Sequence, residues 1–267
     1  MILTDVSEAD FSTLSVKRDG MLLHVTLDRP PRNAVDDAVH DDLTRLFALL
    51  KDETEARAIL LTGAGRVFCA GGDYRWFPTL RGPERLDMLR RHAKQLIWDL
   101  VDVEIPIVAA VNGAAIGLGA SIALLCDVIF MARSAVIADP HVRVGIVAGD
   151  GGTAIWPLAV GPARAKEYLL TGDAVKAEDA ERMGLVNHVV DDDELLDRAT
   201  AFARRLADGA PLALRATKLC VNKLVKEALN VAFDTATALE MLTFQSADHE
   251  EALAALQEKR TPRFNGR

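Results

Sequence analysis

The chain is poor in cysteine, has no basic run longer than two residues, and carries no low-complexity linker. Cys69, Cys126 and Cys220 lie far apart, and no CxxC or Cys/His ligand spacing joins them. An odd, sparse set of this kind speaks against a disulfide framework and for a reducing compartment. No metal site is expected. The first residues, Met1 to Phe11, include acids and hold no apolar stretch of leader length, so the expected location is cytoplasmic. The absence of basic blocks, with a net charge of −8, excludes nucleic acid as a natural partner and disfavours an anionic membrane surface. GxGxxG is missing, as is a GK[ST] loop, so neither a dinucleotide fingerprint nor a Walker loop is present.

What is there fits a globular enzyme-sized unit. Of 267 residues, 50% are hydrophobic and 26% charged, enough for a large core. The most apolar stretch, Ile105 to Cys126, carries no charge and is flanked by Glu104 and Asp127. Its length would suit a membrane span, but Pro106, Asn112, Gly113, Gly117 and Gly119 interrupt it and β-branched residues crowd its start. Those features predict a buried strand over Ile107 to Val111, a glycine-rich turn, and an apolar helix from about Leu118. The first N–H groups of such a helix have no internal partner and sit at the positive end of its dipole. That arrangement can receive a carbonyl oxygen acquiring charge; it equally serves tight strand–helix packing.

Along the rest of the chain, Leu14 to Leu27 reads as a hairpin around Arg18-Asp19-Gly20. Asp36 to Lys51 and Pro83 to Val101 read as helices, and Ala58 to Thr62, Asp127 to Ala132 and Ala135 to Ala138 as strands. The repeating unit is strand, helix, strand, which predicts mostly parallel pairing. The second half is helical: Gly161 to Leu170, Lys176 to Met183, Glu194 to Ala207, Leu212 to Ala228 and Val231 to Thr243, with one strand over Leu185 to Val190. The first 200 residues form the expected core; residues 201–267 form a helical region that is either an appendage or an oligomerisation layer.

Four places hold candidate chemistry. The loop Phe68-Cys-Ala-Gly-Gly-Asp73 can present backbone N–H groups to an oxyanion or phosphate, or be an ordinary turn. Gly117-Leu-Gly-Ala-Ser121 fails the GxSxG pattern at Ala123, and Ser121 is expected to bond back to a carbonyl. Asp139-Pro140-His141 with Gly149-Asp150-Gly151-Gly152 offers an Asp-oriented general acid or base; the plainer readings are a loop histidine and a helix cap. The tail Glu258-Lys-Arg-Thr-Pro-Arg-Phe264 is either a solvated end or a phosphate contact.

These segments, in this order, resemble the crotonase or enoyl-CoA hydratase/isomerase family. The similarity runs through Leu27-Asp-Arg-Pro-x-x-x-Asn33-Ala34, Leu61-Thr-Gly-x-Gly-Arg-x-Phe-Cys-Ala-Gly-Gly-Asp73, Pro106-Ile-Val-Ala-Ala-Val-Asn-Gly113 and Cys126-Asp127. It continues through Gly151-Gly152, Leu170-Thr-Gly172, Ala177 to Ala180, Gly184-Leu-Val and the tail. The resemblance implies an α/β fold with a ββα spiral core and C-terminal helices that build homotrimers or hexamers. It implies coenzyme A as part of an acyl-CoA substrate, with no permanently bound cofactor. By position, the N–H groups of Gly72 and Leu118 would form an oxyanion hole for the thioester. Arg32, Asn33 and Ala34 would line the CoA path, Ala70 would face the adenine, and Lys259 or Arg260 would reach a phosphate.

The departures are informative. Hydratases similar to this chain carry two catalytic glutamates; Ser121 and His141 stand at those positions. The resemblance therefore implies a thioester-enolate enzyme with His141 and Asp150 as its acid–base pair. Within the same family, enzymes that cleave cyclic β-diketones by a retro-Claisen reaction use a histidine, an aspartate and a distant glutamate. His141, Asp150 and Glu240 match that set, although those enzymes carry a histidine where Leu118 stands. A non-catalytic acyl-CoA binder is the third reading.

Overall fold

The computed structural model describes residues 6–267. A hairpin opens the core. Strands β1 (Leu14–Asp19) and β2 (Leu22–Leu27) pair antiparallel in the register Leu14 to Leu27 through Asp19 to Leu22. Helix α1 (Asp37–Lys51) follows, its first turn held by the Asp36 carboxylate, which accepts from Val39 N at 3.2 Å. Its buried Val39, Leu43, Leu46, Phe47 and Leu50 recur at helical spacing and face the core.

The chain then makes three turns of one unit. The first is β3 (Ala58–Gly63), β4 (Val67–Cys69) and α2 (Pro83–Asp102). The second is β5 (Ile107–Val111), β6 (Ala114–Ile116) and α3 (Leu118–Leu125). The third is β7 (Val128–Ala132), β8 (Val136–Ala138) and α4 (Gly152–Thr171). After them come β9 (Val175–Lys176), α5 (Ala177–Arg182), β10 (His188–Val190), α6 (Leu195–Ala207), α7 (Pro211–Thr243) and α8 (Ala247–Glu258). The long strands form a six-stranded sheet in the order β1-β2-β3-β5-β7-β10, and the short ones a second sheet in the order β4-β6-β8-β9. Pairing is parallel from β2 through β10, as expected.

The repeat is thus strand, strand, helix rather than strand, helix, strand. The second strand of each turn is three residues long, and β4 and β6 lie inside stretches that read as glycine-rich loops. Such short strands carry no alternation to find. They fold because the neighbouring turn supplies the edge: β4 pairs with β6, and β6 with β8. Two-residue β9, which pairs antiparallel with β8, was invisible for the same reason.

Three further differences lie in the helical half. Segments 212–228 and 231–243 form one 33-residue helix, α7. Exposed Asn230 does not break it, and Leu229 and Phe233 on either side are buried. Helix α4 begins at Gly152, not Gly161, and bends at Gly161, where φ is +79°. Helix α8 was not anticipated; Ser246 caps it by accepting from His249 N at 3.1 Å.

Helix α7 is fastened to the core by buried Lys218, whose ammonium donates to Ile105 O at 2.9 Å and pairs with Asp127 at 2.7 Å. The same Asp127 accepts from Ile107 N at 2.7 Å. One contact thus joins both ends of the apolar run to α7, which places the far end of α7 beside the loop after β8. Among the described residues, no helix is long and apolar enough to cross a membrane.

Candidate active site

The short sheet carries the site. Strand β8 delivers Asp139 and Pro140 into a single 3-10 turn, His141–Val144. Strand β6 is followed by Gly117, whose N–H donates to Ala138 O at 2.9 Å. Gly117 has φ +55°, and a Cβ there would lie 3.3 Å from His141 Cε1. Only glycine takes this backbone readily and lets the start of α3 come so close to the imidazole.

His141 is held on both ring nitrogens. Nδ1 is hydrogen-bonded to Asp139 Oδ1. Nε2 faces Asp150 Oδ2 at 3.4 Å and Glu240 Oε1 at 3.9 Å. The sequence reading gave Asp150 the task of orienting the histidine; in the structure Asp139 bonds Nδ1 and Asp150 faces Nε2. Asp150 Oδ1 accepts from Ser121 Oγ at 3.0 Å, so Ser121 bonds to a carboxylate rather than back to a helix carbonyl. Asp150 Oδ2 is buried and without a hydrogen-bond donor.

Glu240 reaches the site from α7, 90 residues further along the chain than Asp150. Thr237, one turn earlier, donates to Gly149 O at 2.9 Å and fixes the approach. A Cβ on residue 149 would sit 2.5 Å from Glu240 Oε2, so the missing side chain makes room for the carboxyl.

Burial and close charges shift His141, Asp150 and Glu240 from their ordinary values. Burial works against a charged His141, but the Asp139, Asp150 and Glu240 carboxylates outweigh it and hold the imidazole well above its ordinary value. Burial raises Asp150, against the attraction of His141. Burial also pushes Glu240 up to about 8, with Asp150 and Asp139 adding repulsion and His141 opposing. Both His141 and Glu240 are thus biased toward their protonated forms.

This gives a pH prediction. The Glu240 value lies above its ordinary 4.5, so the folded protein keeps a proton that the unfolded chain has released. Between about pH 4.5 and 8 that difference lowers stability as pH rises. Glu240→Gln removes it. The Tm of the variant relative to the parent is expected to rise from pH 5 to pH 8.5 by on the order of 5 °C. Calorimetric scans at the two values check this; a constant difference would mean that Glu240 titrates normally.

The same residues face a cavity lined also by Gly72, Leu118, His40, Trp76, Phe77, Leu89, Ile146 and Phe244. Trp76 and Phe77 line it, whereas Trp156 is in the core and Trp98 packs against that core. Gly72 sits in a bridge in which Val35 N donates to Gly71 O and Asp73 N to Val35 O, each at 2.8 Å. Leu118 is the first residue of α3. Gly72 and Leu118 thus line one cavity with His141, Asp150 and Glu240.

The residues assigned to the CoA path are placed differently. Arg32 is exposed, and its carbonyl accepts from Ala70 N at 3.2 Å, which joins the two loops. Asn33 is buried and its amide is occupied: Oδ1 accepts from Arg29 N at 2.9 Å, and Nδ2 donates to Val67 O at 2.8 Å and Ala64 O at 3.1 Å. It shapes the loop instead of offering a side-chain contact to a ligand. Ala34 and Ala70 are half-buried. Lys259 caps α8, exposed and outside the cavity lining, while Arg260 is engaged by Glu251 and Glu258. His40 was not singled out from sequence, and Asp139 lay in a candidate segment without a role of its own. Asp139 had a signal, being two residues before the candidate histidine; His40 had none, reading as one more position on an amphipathic helix.

A sequence-family model described as enoyl-CoA hydratase/isomerase matches residues 17–267. The 1,2-epoxyphenylacetyl-CoA isomerase of Escherichia coli K12 is 34% identical over 250 residues, covering 92% of this chain and 95% of that protein. The crystal structure of an enoyl-CoA hydratase/isomerase from Mycobacterium paratuberculosis superposes with a TM-score of 0.88 at 38% identity, covering 92% of this chain and 99% of that one. A β-diketone hydrolase from the cyanobacterium Anabaena sp. PCC 7120, bound to (S)-3-oxocyclohexyl acetic acid, superposes with a TM-score of 0.83 at 30% identity, covering 88% and 94%.

Proposed function

The chain belongs to the enoyl-CoA hydratase/isomerase family, and from that premise we propose that it processes an acyl-CoA through a thioester enolate, with His141 and Asp150 as the acid–base pair. The observation that carries this is the convergence of His141, Asp150 and Glu240 on a cavity that Gly72 and Leu118 also line. The backbone N–H groups of Gly72 and Leu118 receive the thioester oxygen as it gains charge, which needs donors fixed before the reaction starts. Asp150 Oδ2, free of donors, takes a proton from the acyl group or from water. The imidazolium of His141 returns one, and Asp139 holds the ring while its charge changes. Glu240, protonated at neutral pH, keeps the net negative charge beside the enolate low. Ser121 in place of a second glutamate argues against simple hydration by two carboxylates.

A second reading rests on the Anabaena hydrolase and on the inward-facing Glu240. There the same pair activates water against a ketone carbonyl. The hydroxyl adds to the carbonyl carbon, the adjacent carbon–carbon bond breaks, and its electron pair leaves as an enolate that takes up the proton. Calorimetric titration separates the two. Micromolar binding of acetyl-CoA or free CoA supports the thioester reading, while no CoA binding together with turnover of a cyclic 1,3-diketone replaces it.

The C-terminal helices support assembly as a homotrimer or hexamer. Val221, Leu224, Val231, Leu239 and Leu242 are exposed and fall on one stripe of α7, an apolar patch of the kind that marks a protein contact. The pair Leu224→Glu and Val231→Glu should convert the assembly to monomer in light scattering; an unchanged mass would remove the stripe from the interface.

A further inference from the structure

The seam between α1 and α2 gathers three metal-binding side chains. His40 and Asp41 stand on α1 and His92 on α2, and one ligand atom from each lies within 4.8 Å of the other two. His40 is buried and lines the cavity together with Leu89 and Ala93 of α2. Asp41 and His92 are exposed, so an ion can reach the group from solvent. The rings of His40 and His92 lie side by side, 6.3 Å between centroids and 26° between planes. His92 Nδ1 faces Asp41 Oδ1 at 3.5 Å, which is longer than an ordinary N–H to oxygen hydrogen bond. It is close to the roughly 3.4 Å between two ligands of a tetrahedral ion with bonds of about 2.0–2.1 Å.

We propose that His40, Asp41 and His92 bind one Zn2+ at this seam, with water as the fourth ligand. Two imidazoles and a carboxylate suit zinc, whereas Mg2+ and Ca2+ take oxygen ligands. Three protein ligands and an open fourth position are a known zinc arrangement. Arg85, a cation near enough to act on His40, is paired with Asp37, which blunts its repulsion of an ion. The donors come from two helices, so no ligand spacing along the chain reveals them. The ion ties α1 to α2 and fixes the His40 ring in the cavity wall. It supplies no step of the reaction, and the inference is independent of which substrate the cavity takes.

The donors of Asp139, His141 and Asp150 also lie within reach of a single ion, and the test tells the two groups apart. The protein is freed of metal with a chelator and titrated calorimetrically with Zn2+ alone, as wild type, His141→Gln, His92→Ala and Asp41→Asn. The expected result is an ion bound by the wild type and kept in His141→Gln. Its affinity falls about tenfold or more in His92→Ala and in Asp41→Asn, at least the cost of losing an outer-shell partner of a metal. Zn2+ should also raise the Tm of His141→Gln but not that of His92→Ala, since an ion bound only by the folded state stabilises it. Asp41 and His92 are exposed, so Tm values in chelator close to the parent's show that both variants fold. No Zn2+ binding by the wild type overturns the proposal, as does binding that is unchanged in His92→Ala. Binding lost in His141→Gln and kept in His92→Ala gives the ion to the other cluster and overturns it equally.

Discussion

Replacing His141 by alanine is expected to lower kcat by about 10²–10⁴-fold, the usual weight of a positioned acid–base group, while ligand Kd stays within a few-fold. The asymmetry follows from where the ring stands. Its Nε2 points at Asp150 and Glu240, so in the proposed mechanism it acts on a moving proton rather than on a bound group. Its removal also strips the one nearby cation from three buried carboxyl groups. Asp150 and Glu240, both already raised, lose an attraction that lowered them and hold their protons to still higher pH. Residual activity should therefore shift in its pH profile as well as fall. His141→Gln, which keeps most of the volume, separates loss of chemistry from collapse of the cluster. Normal turnover in both variants would remove the histidine from the mechanism.

Gly72→Pro is expected to cost about 10²–10³-fold in kcat, the effect of deleting one oxyanion donor. Proline removes the N–H and restricts φ. The substitution also adds a Cβ, which at this position lies 2.5 Å from Phe77 Cζ. Gly72→Ala is the control, because it meets the same ring tip and keeps the donor. A Phe77 ring can turn aside, so alanine should retain most activity and the gap between the two variants measures the N–H. Equal losses would mean that packing against Phe77, not a hydrogen bond, explains the glycine.

Much of this site was legible from sequence because its parts are backbone turns. Glycines at 72 and 117 mark turns where the backbone comes close to the cavity, and that information is local. The long strands and amphipathic helices were legible because each carries its own periodicity. Strand β8 was read as well, but the three-residue strands β4 and β6 were not, since they exist through pairing across turns of the spiral. Glu240 could be proposed only by resemblance: on α7 it looks like any helical glutamate, and its burial comes from the Thr237 contact to Gly149. The exchange of roles between Asp139 and Asp150 depends on which ring nitrogen each one faces, and spacing along a chain carries no such information. Asn33 was assigned to the CoA path by resemblance alone; its buried hydrogen bonds to Ala64 and Val67 show a residue that holds the loop.

The measurement that tests the central claim most directly is proton exchange at the acyl Cα. The protein is incubated in D2O with an acyl-CoA that calorimetry shows to bind, and deuterium at the α position is read by mass spectrometry. An enolate held by Gly72 and Leu118 and fed by the His141–Asp150 pair predicts deuterium incorporation in the wild type and its loss in His141→Ala. A bound acyl-CoA that gains no deuterium would contradict the enolate account.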